Sequence, residues 1–139
     1  MKLKTLALAA GLACATGAIA APTQWTSASG GNDHWYEFVS TSVTWQDAFT
    51  AANAASFMSM GGYLATVTSA TENTFIANLA NGSLAWLGGS DAGNAINAWT
   101  WRNGPEAGQA FTYTNWNGGE PNNCCGGEDY LHINWATRG

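Results

Sequence analysis

The sequence predicts an α+β domain: two helices close together in the chain, then a β half of short antiparallel strands joined by a long irregular loop region. Three observations carry this. Helical spacing of apolar residues occurs only between Thr44 and Leu79. Short β-forming runs flank and separate those two segments. From Ser90 onward no helical period survives, and residues 91–129 form a long stretch with little regular pattern. Helices segregated ahead of an irregular β half are the mark of α+β, and long loops in small domains are commonly functional.

Lys2 and Lys4 make a basic start, an apolar Ala-rich run extends from Leu6 to Ile19, and Ala18-Ile19-Ala20 has the small-x-small form of a cleavage site. Residues 1–20 are therefore expected to be a signal peptide, and the apolar run is too short for a membrane span. A lipoprotein reading through Cys14 fits less well, because Gly11 stands where a leucine is expected. The expected location is secreted, periplasmic or on the cell surface. Residues 21–33 read as a polar lead-in with Trp25 as its anchor, and residues 34–139 as one domain.

Within that domain, "HWYEFVS" (His34 to Ser40) alternates and ends on β-formers, so it predicts a strand. Thr44 offers an N-cap, and Trp45, Ala48, Phe49, Ala52 and Ala55 follow at helical spacing; Gly61-Gly62 is the expected stop. "YLATV" (Tyr63 to Val67) predicts a second strand. Ser69 and Glu72 then form a capping box ahead of Phe75, Ile76 and Leu79, with Asn81-Gly82 as the terminator. Ala85 to Leu87 is a buried strand expected to close at Gly88-Gly89. Trp99 to Gly104 reads as strand and turn, Asn115 to Gly127 as a glycine-rich loop, and Asp129 to Trp135 as a final strand.

Charge narrows the function. The chain has four Lys and Arg against nine Asp and Glu, a net −5. Without Lys2 and Lys4 only Arg102 and Arg138 face the nine acids, a net −7. Such a surface repels phosphate backbones, which argues against a nucleic-acid partner, and favours a cation. Beyond Cys14 only the adjacent Cys124 and Cys125 remain. They can form a vicinal ring, pair between molecules, or stay as thiols.

The residues that stand out chemically are "EPNNCCGGED", Glu120 to Asp129. Three carboxylates and two amides crowd a stretch with no aliphatic side chain. Carboxylate and amide oxygens are hard donors, and Ca²⁺ takes six to eight of them, whereas Mg²⁺ prefers tighter octahedra with water. Zn²⁺ would draw on His132 and the cysteines, and two adjacent thiolates share a tetrahedral ion poorly. A cis Glu120–Pro121 bond would let the Glu120 and Asn122 side chains point the same way. A solvated turn is the bland alternative for such a loop.

"GGYLATVTSATEN" (Gly61 to Asn73), "WLGGSD" (Trp86 to Asp91), "WTWRNG" (Trp99 to Gly104), "YTNWNGGEPNN" (Tyr113 to Asn123) and "GED" (Gly127 to Asp129) occur in this order. Together they resemble the C-type lectin-like domain, in particular its small exported bacterial members. The resemblance implies a calcium-dependent lectin in which Glu120, Asn122 and Glu128 hold the ion and also bind the sugar. It further implies that Asp129 and Asn123 serve an accessory calcium, although an acid is usual where Asn123 stands. The Glu/Asn order resembles members that take mannose, glucose, N-acetylglucosamine or fucose. Family members continue into a Trp-Asn-Asp segment and a last strand pairing near the first. Neither is seen before Gly139, so the domain is expected to be C-terminally incomplete and the Tyr36 strand to have an unpaired edge.

Other residues read more plainly. Trp45, Trp86, Trp99, Trp101 and Trp116 sit in structural motifs and are expected in the core, while Trp25 and Trp135 are left as stacking surfaces. His34 and His132 are isolated and read as structural or exposed histidines rather than ligands or bases. Glu120 and Glu128 imitate a glycosidase pair, but their polar loop offers no apolar pocket to raise a pKa, and no nucleophile elbow is present, so no enzyme is expected. The competing functional class is a calcium-independent module of the same fold that binds a protein partner or self-associates.

Overall fold

A computed structural model describes residues 3–7, as backbone, and 21–135 of the chain. Its elements are β1 (Leu3–Ala7), β2 (Thr23–Gln24), a short 3-10 turn (Ser27–Ser29), β3 (Trp35–Val39), α1 (Trp45–Ala54), β4 (Ser56–Phe57), β5 (Met60–Leu64), α2 (Ala70–Leu79), β6 (Ala85–Ser90), β7 (Thr100–Trp101) and β8 (Tyr130–Ile133). The two helices and the segregated β half are those the sequence predicts. Residues 8–20 and 136–139, which carry most of the leader and the C-terminal tetrapeptide, lie outside the described residues.

Sheet alternation divides the interior into two clusters. Ala85 and Leu87 of β6 join Tyr36, Val67, Ile76, Trp101 and Ile133 in one cluster, against which Phe75 and Leu79 of α2 pack. The intervening Trp86 packs instead with Trp45, Ala48, Ala52 and Leu64, the apolar stripe of α1 and the end of β5. Successive strand residues point to opposite faces, so one strand feeds both clusters. β8 does the same: Ile133 enters the first cluster while Tyr130 stacks on Trp45 at 4.8 Å. Each buried Leu or Ile contributes about 1.5–3 kcal/mol of apolar burial.

Both helix starts follow the sequence. Thr44 Oγ1 accepts from the Asp47 backbone N–H at 3.2 Å, and Ser69 Oγ accepts from Glu72 N–H at 3.2 Å. The return arm of the second box differs from the expected form. Glu72 Oε2 reaches past the cap to Thr68, accepting from its N–H at 2.8 Å and its hydroxyl at 3.0 Å.

Several boundaries shift for identifiable reasons. α1 ends at Ala54 rather than Gly61, because Ser56–Phe57 pairs antiparallel with Met60–Gly61 in a tight hairpin. Met58 and Ser59 form its turn with φ of 49° and 64°, the mirror-type geometry that matches strand twist. β6 runs through Gly88 and Gly89 instead of stopping there. A Cβ on Gly88 would lie 2.7 Å from Asn103 Oδ1 and 2.8 Å from Leu64 O, and one on Gly89 would lie 2.4 Å from Phe111. These glycines permit close packing within a strand rather than ending it. Trp25 is also corrected: it is 8% exposed, stacked on Phe75, and belongs to the core.

The expected open edge beside Tyr36 is closed. β3 pairs antiparallel with β2 on one side, and on the other its five residues pair in parallel with Leu3 through Ala7. β1 also pairs in parallel with Gly62–Leu64 of β5 and meets Trp86 of β6 antiparallel. Residues that read as leader thus form a strand between β3 and β5, and the other strand pairs are antiparallel. Among the described residues no helix is long and apolar enough to cross a membrane.

Candidate metal and carbohydrate site

The loop between β7 and β8 is held by the core at both ends. Trp99 and Trp101 are buried and contact Phe111, while β8 returns along β6. Between these anchors the chain from Tyr113 to Tyr130 has few backbone bonds of its own, and side chains organise it. The Glu120–Pro121 bond is cis. Asn122 donates twice to Glu120, from its backbone N–H to Oε2 at 3.1 Å and from Nδ2 to Oε1 at 2.7 Å.

The other half of the cluster converges on one amide. Cys124 N–H donates to Asn122 Oδ1 at 2.8 Å and to Glu128 Oε2 at 3.1 Å. One donor shared by two acceptors places the Asn122 and Glu128 oxygens side by side. The oxygens of Glu120, Asn122 and Glu128 are thereby brought together at the loop surface, the grouping expected from the sequence. Asn123 does something else: its Oδ1 accepts from Glu128 N–H at 3.1 Å and closes the loop. Cys124 and Cys125 are bonded to each other, the vicinal ring among the three options.

Among the described residues no three of His, Cys, Asp and Glu gather as a metal cluster. The donor set here is two carboxylates and an amide. Two adjacent acidic groups held by only neutral loop amides, with Lys and Arg absent from the loop sequence, suit a hard cation by charge and by donor type.

Asp129 lies apart from this trio. It does not line the cleft that holds Glu120, Asn122, Asn123 and Glu128; its carbonyl accepts from Asp91 N–H at 3.3 Å. Sequence reasoning passed over Asp91. It is 6% exposed, its Oδ2 accepts from Asn97 N–H at 2.8 Å, and its Oδ1 is buried with no hydrogen-bond partner. A buried carboxylate oxygen without a donor costs free energy unless something else meets it, and a cation is such a partner. The signal in the sequence was an acid ending the strand motif "WLGGSD".

A cleft of about 410 Å³ runs from the oxygen cluster to the edge of the core. Glu120, Asn122 and Glu128 line it together with Trp99, Phe111, Trp116, His132 and Trp135. Trp116 and Trp86, expected in the core, are only partly buried. Burial pushes the His132 imidazole below its ordinary value, against the opposing pull of Glu128 and Glu120.

Comparison with known proteins follows the same lines. The family model described as "Lectin C-type domain" matches residues 41–136. Halomucin of Haloquadratum walsbyi is 44% identical over 59 residues, which is 42% of this chain and 1% of that protein. The chain therefore spans a very small part of the curated relative it matches. No solved structure matches.

Proposed function

The chain belongs to the C-type lectin domain family, and from that premise we propose that it binds carbohydrate through a calcium ion held by Glu120, Asn122 and Glu128. The observation that carries this reading is the convergence of Asn122 Oδ1 and Glu128 Oε2 on the Cys124 amide, beside a Glu120 carboxylate already tied to Asn122. Bound calcium supplies a Lewis-acidic centre that two neighbouring sugar hydroxyls can bond directly.

The protein's own groups supply the rest. Glu120 and Glu128 each have a second face from which to accept a hydroxyl hydrogen, and Asn122 Nδ2, now donating to Glu120, can turn that donation to a sugar oxygen. Hydrogen bonds to charged groups contribute about 1.5–3 kcal/mol each, offset in part by desolvation and ordering. A single site is therefore weak, and several copies would bind by avidity. The acid–amide order favours the mannose, glucose, N-acetylglucosamine and fucose class. Asp91 and Asp129 would hold an accessory ion, with Asn123 acting as the loop closure. The leader reading makes the protein exported.

Calorimetric titration with Ca²⁺, followed by retention on immobilised mannose and galactose with and without chelator, tests this. Heat on calcium addition and chelator-sensitive retention on mannose are expected. A chain that takes up no calcium, or is retained equally with chelator, refutes the proposal and favours the calcium-independent module.

A further inference from the structure

Trp135 is the one tryptophan presented to solvent among the described residues, at 54% exposed, and it is not loose. Its ring stacks on His132 at 5.1 Å with 22° between planes. His132 in turn packs on Trp86 at 5.9 Å, and Trp86 Nε1–H donates to Val43 O at 3.0 Å. The ladder runs from the α1 side of the core outward, so one face of Trp135 is backed by fixed groups. From the other direction, Asn117 Nδ2 donates to Trp135 O at 3.4 Å, and Asn117 O accepts from Glu120 N–H at 3.0 Å. Asn117 therefore ties this shelf to the chain that carries the first carboxylate of the candidate ion site.

The shelf and the oxygen cluster line the same cleft. Its volume of about 410 Å³ falls in the range of about 300–1,000 Å³ typical of pockets for drug-sized ligands. A pyranose coordinated at the ion through two hydroxyls fills only part of it. What remains offers an aromatic face together with polar side chains, Asn115, Asn117 and Thr114. A pyranose ring has that dual character: C–H groups on one face suit an aromatic plane, and hydroxyls at the edge suit amides.

Resting on the saccharide reading above, we propose that Trp135, backed by His132, forms a second sugar subsite, so that the ligand is an oligosaccharide with one ring at Glu120, Asn122 and Glu128 and the next stacked on Trp135. The shelf is preorganised, which lowers the ordering cost of binding a second ring.

The test compares methyl α-mannoside with mannobiose by calorimetry in calcium, on the full chain and on Trp135→Ala, Trp135→Phe and Glu128→Gln. The unaltered protein should prefer the disaccharide by about tenfold, the usual scale for removing one well-packed aromatic contact. Trp135→Ala should abolish that preference and leave monosaccharide affinity unchanged, and Trp135→Phe should keep most of it. Glu128→Gln should weaken both sugars together. Equal affinity for the two sugars in the unaltered protein, or a preference that survives Trp135→Ala, overturns the subsite while leaving the ion site standing. Absence of calcium-dependent binding of either sugar overturns both. Melting temperatures of the variants separate misfolding from lost contact; if Trp135→Ala does not fold, quenching of tryptophan fluorescence by mannobiose in the unaltered protein and its loss in Trp135→Phe decide the matter.

Discussion

Glu72 and the pair Glu120 and Glu128 are the same side chain in opposite circumstances. Glu72 is 1% exposed and surrounded by the domain's own donors: the Tyr36 hydroxyl at 2.7 Å, the Thr68 N–H and hydroxyl, and Asn32 Nδ2 at 3.3 Å. Those donors come from the segment before β3, from β3 itself and from the turn into α2. Glu72 thus knits three parts of the chain together. Glu120 and Glu128 lie at the surface and take hydrogen bonds from within their own loop, from Asn122 and Cys124. A carboxylate alone is no sign of a site. A carboxyl group whose partners come from distant segments and fill its oxygens is structural, and one held in place by a few local amides still has room for a ligand.

Removing each acid makes that contrast measurable. Glu72→Ala removes the charged acceptor of the buried Tyr36 hydroxyl, which is left with Asn32 Oδ1 at 3.2 Å, and frees the Thr68 N–H and hydroxyl to water. The expected loss is about 2–4 kcal/mol, since hydrogen bonds to a charged group contribute about 1.5–3 kcal/mol each and those at Thr68 are replaced in part by water. For a domain of this size that lowers the melting temperature by roughly 10 °C or more, with or without calcium. A drop of only a few degrees would show that the network rearranges and that Glu72 is no keystone.

Glu128→Gln should behave in the reverse sense. Without calcium its stability should stay within about 0.5 kcal/mol of the unaltered protein, as for an exposed site. At calcium near a hundred times the dissociation constant, the unaltered protein should gain about 2.7 kcal/mol and the variant almost none. Equal calcium-induced shifts in both would place the ion elsewhere, with the Asp91 and Asp129 pair the first alternative to examine.

The smallest effect lies at His132, which lines the cleft beside Glu120 and Glu128. Burial lowers its pKa from the ordinary 6.5, so the folded form binds the proton less readily than the unfolded chain. Its contribution to stability is complete above that value and is lost as pH falls below it. Melting temperature followed from about pH 7.5 down to about pH 5.5 should fall further in the unaltered protein than in His132→Gln, by a difference that isolates this residue from the carboxylates. Identical slopes would mean that the imidazole is protonated in the fold at no cost.

Much of this was legible in the sequence because it is local. Helix caps, apolar periods and the acid–amide loop each depend on residues within a few positions of one another, and Thr44, Ser69 and the Glu120–Glu128 trio are where the sequence put them. What escaped depends on distant neighbours. Gly88 and Gly89 read as a stop because a sequence does not show Asn103 or Phe111 pressing on them. Trp25 read as a surface because Phe75 is far along the chain. Asp91 was overlooked since its missing partner is visible only once its surroundings are closed. Trp135 could be singled out as unconstrained, but the His132 and Trp86 ladder behind it is a tertiary fact.

The strand Leu3–Ala7 has a consequence for the order of events during synthesis. Its register couples Leu3 to Gly62 and Ala7 to Trp86, partners 59 and 79 positions downstream. Residues of β1 are therefore made well before the partners that seat them, and closing loops of that span is slow compared with forming either helix. Until Trp86 has emerged, the segment is available to any factor that grips extended nascent chain; once it is wedged between β3 and β5, such a factor finds nothing to hold. Which of those fates comes first is a race in time, set by translation speed as much as by affinity.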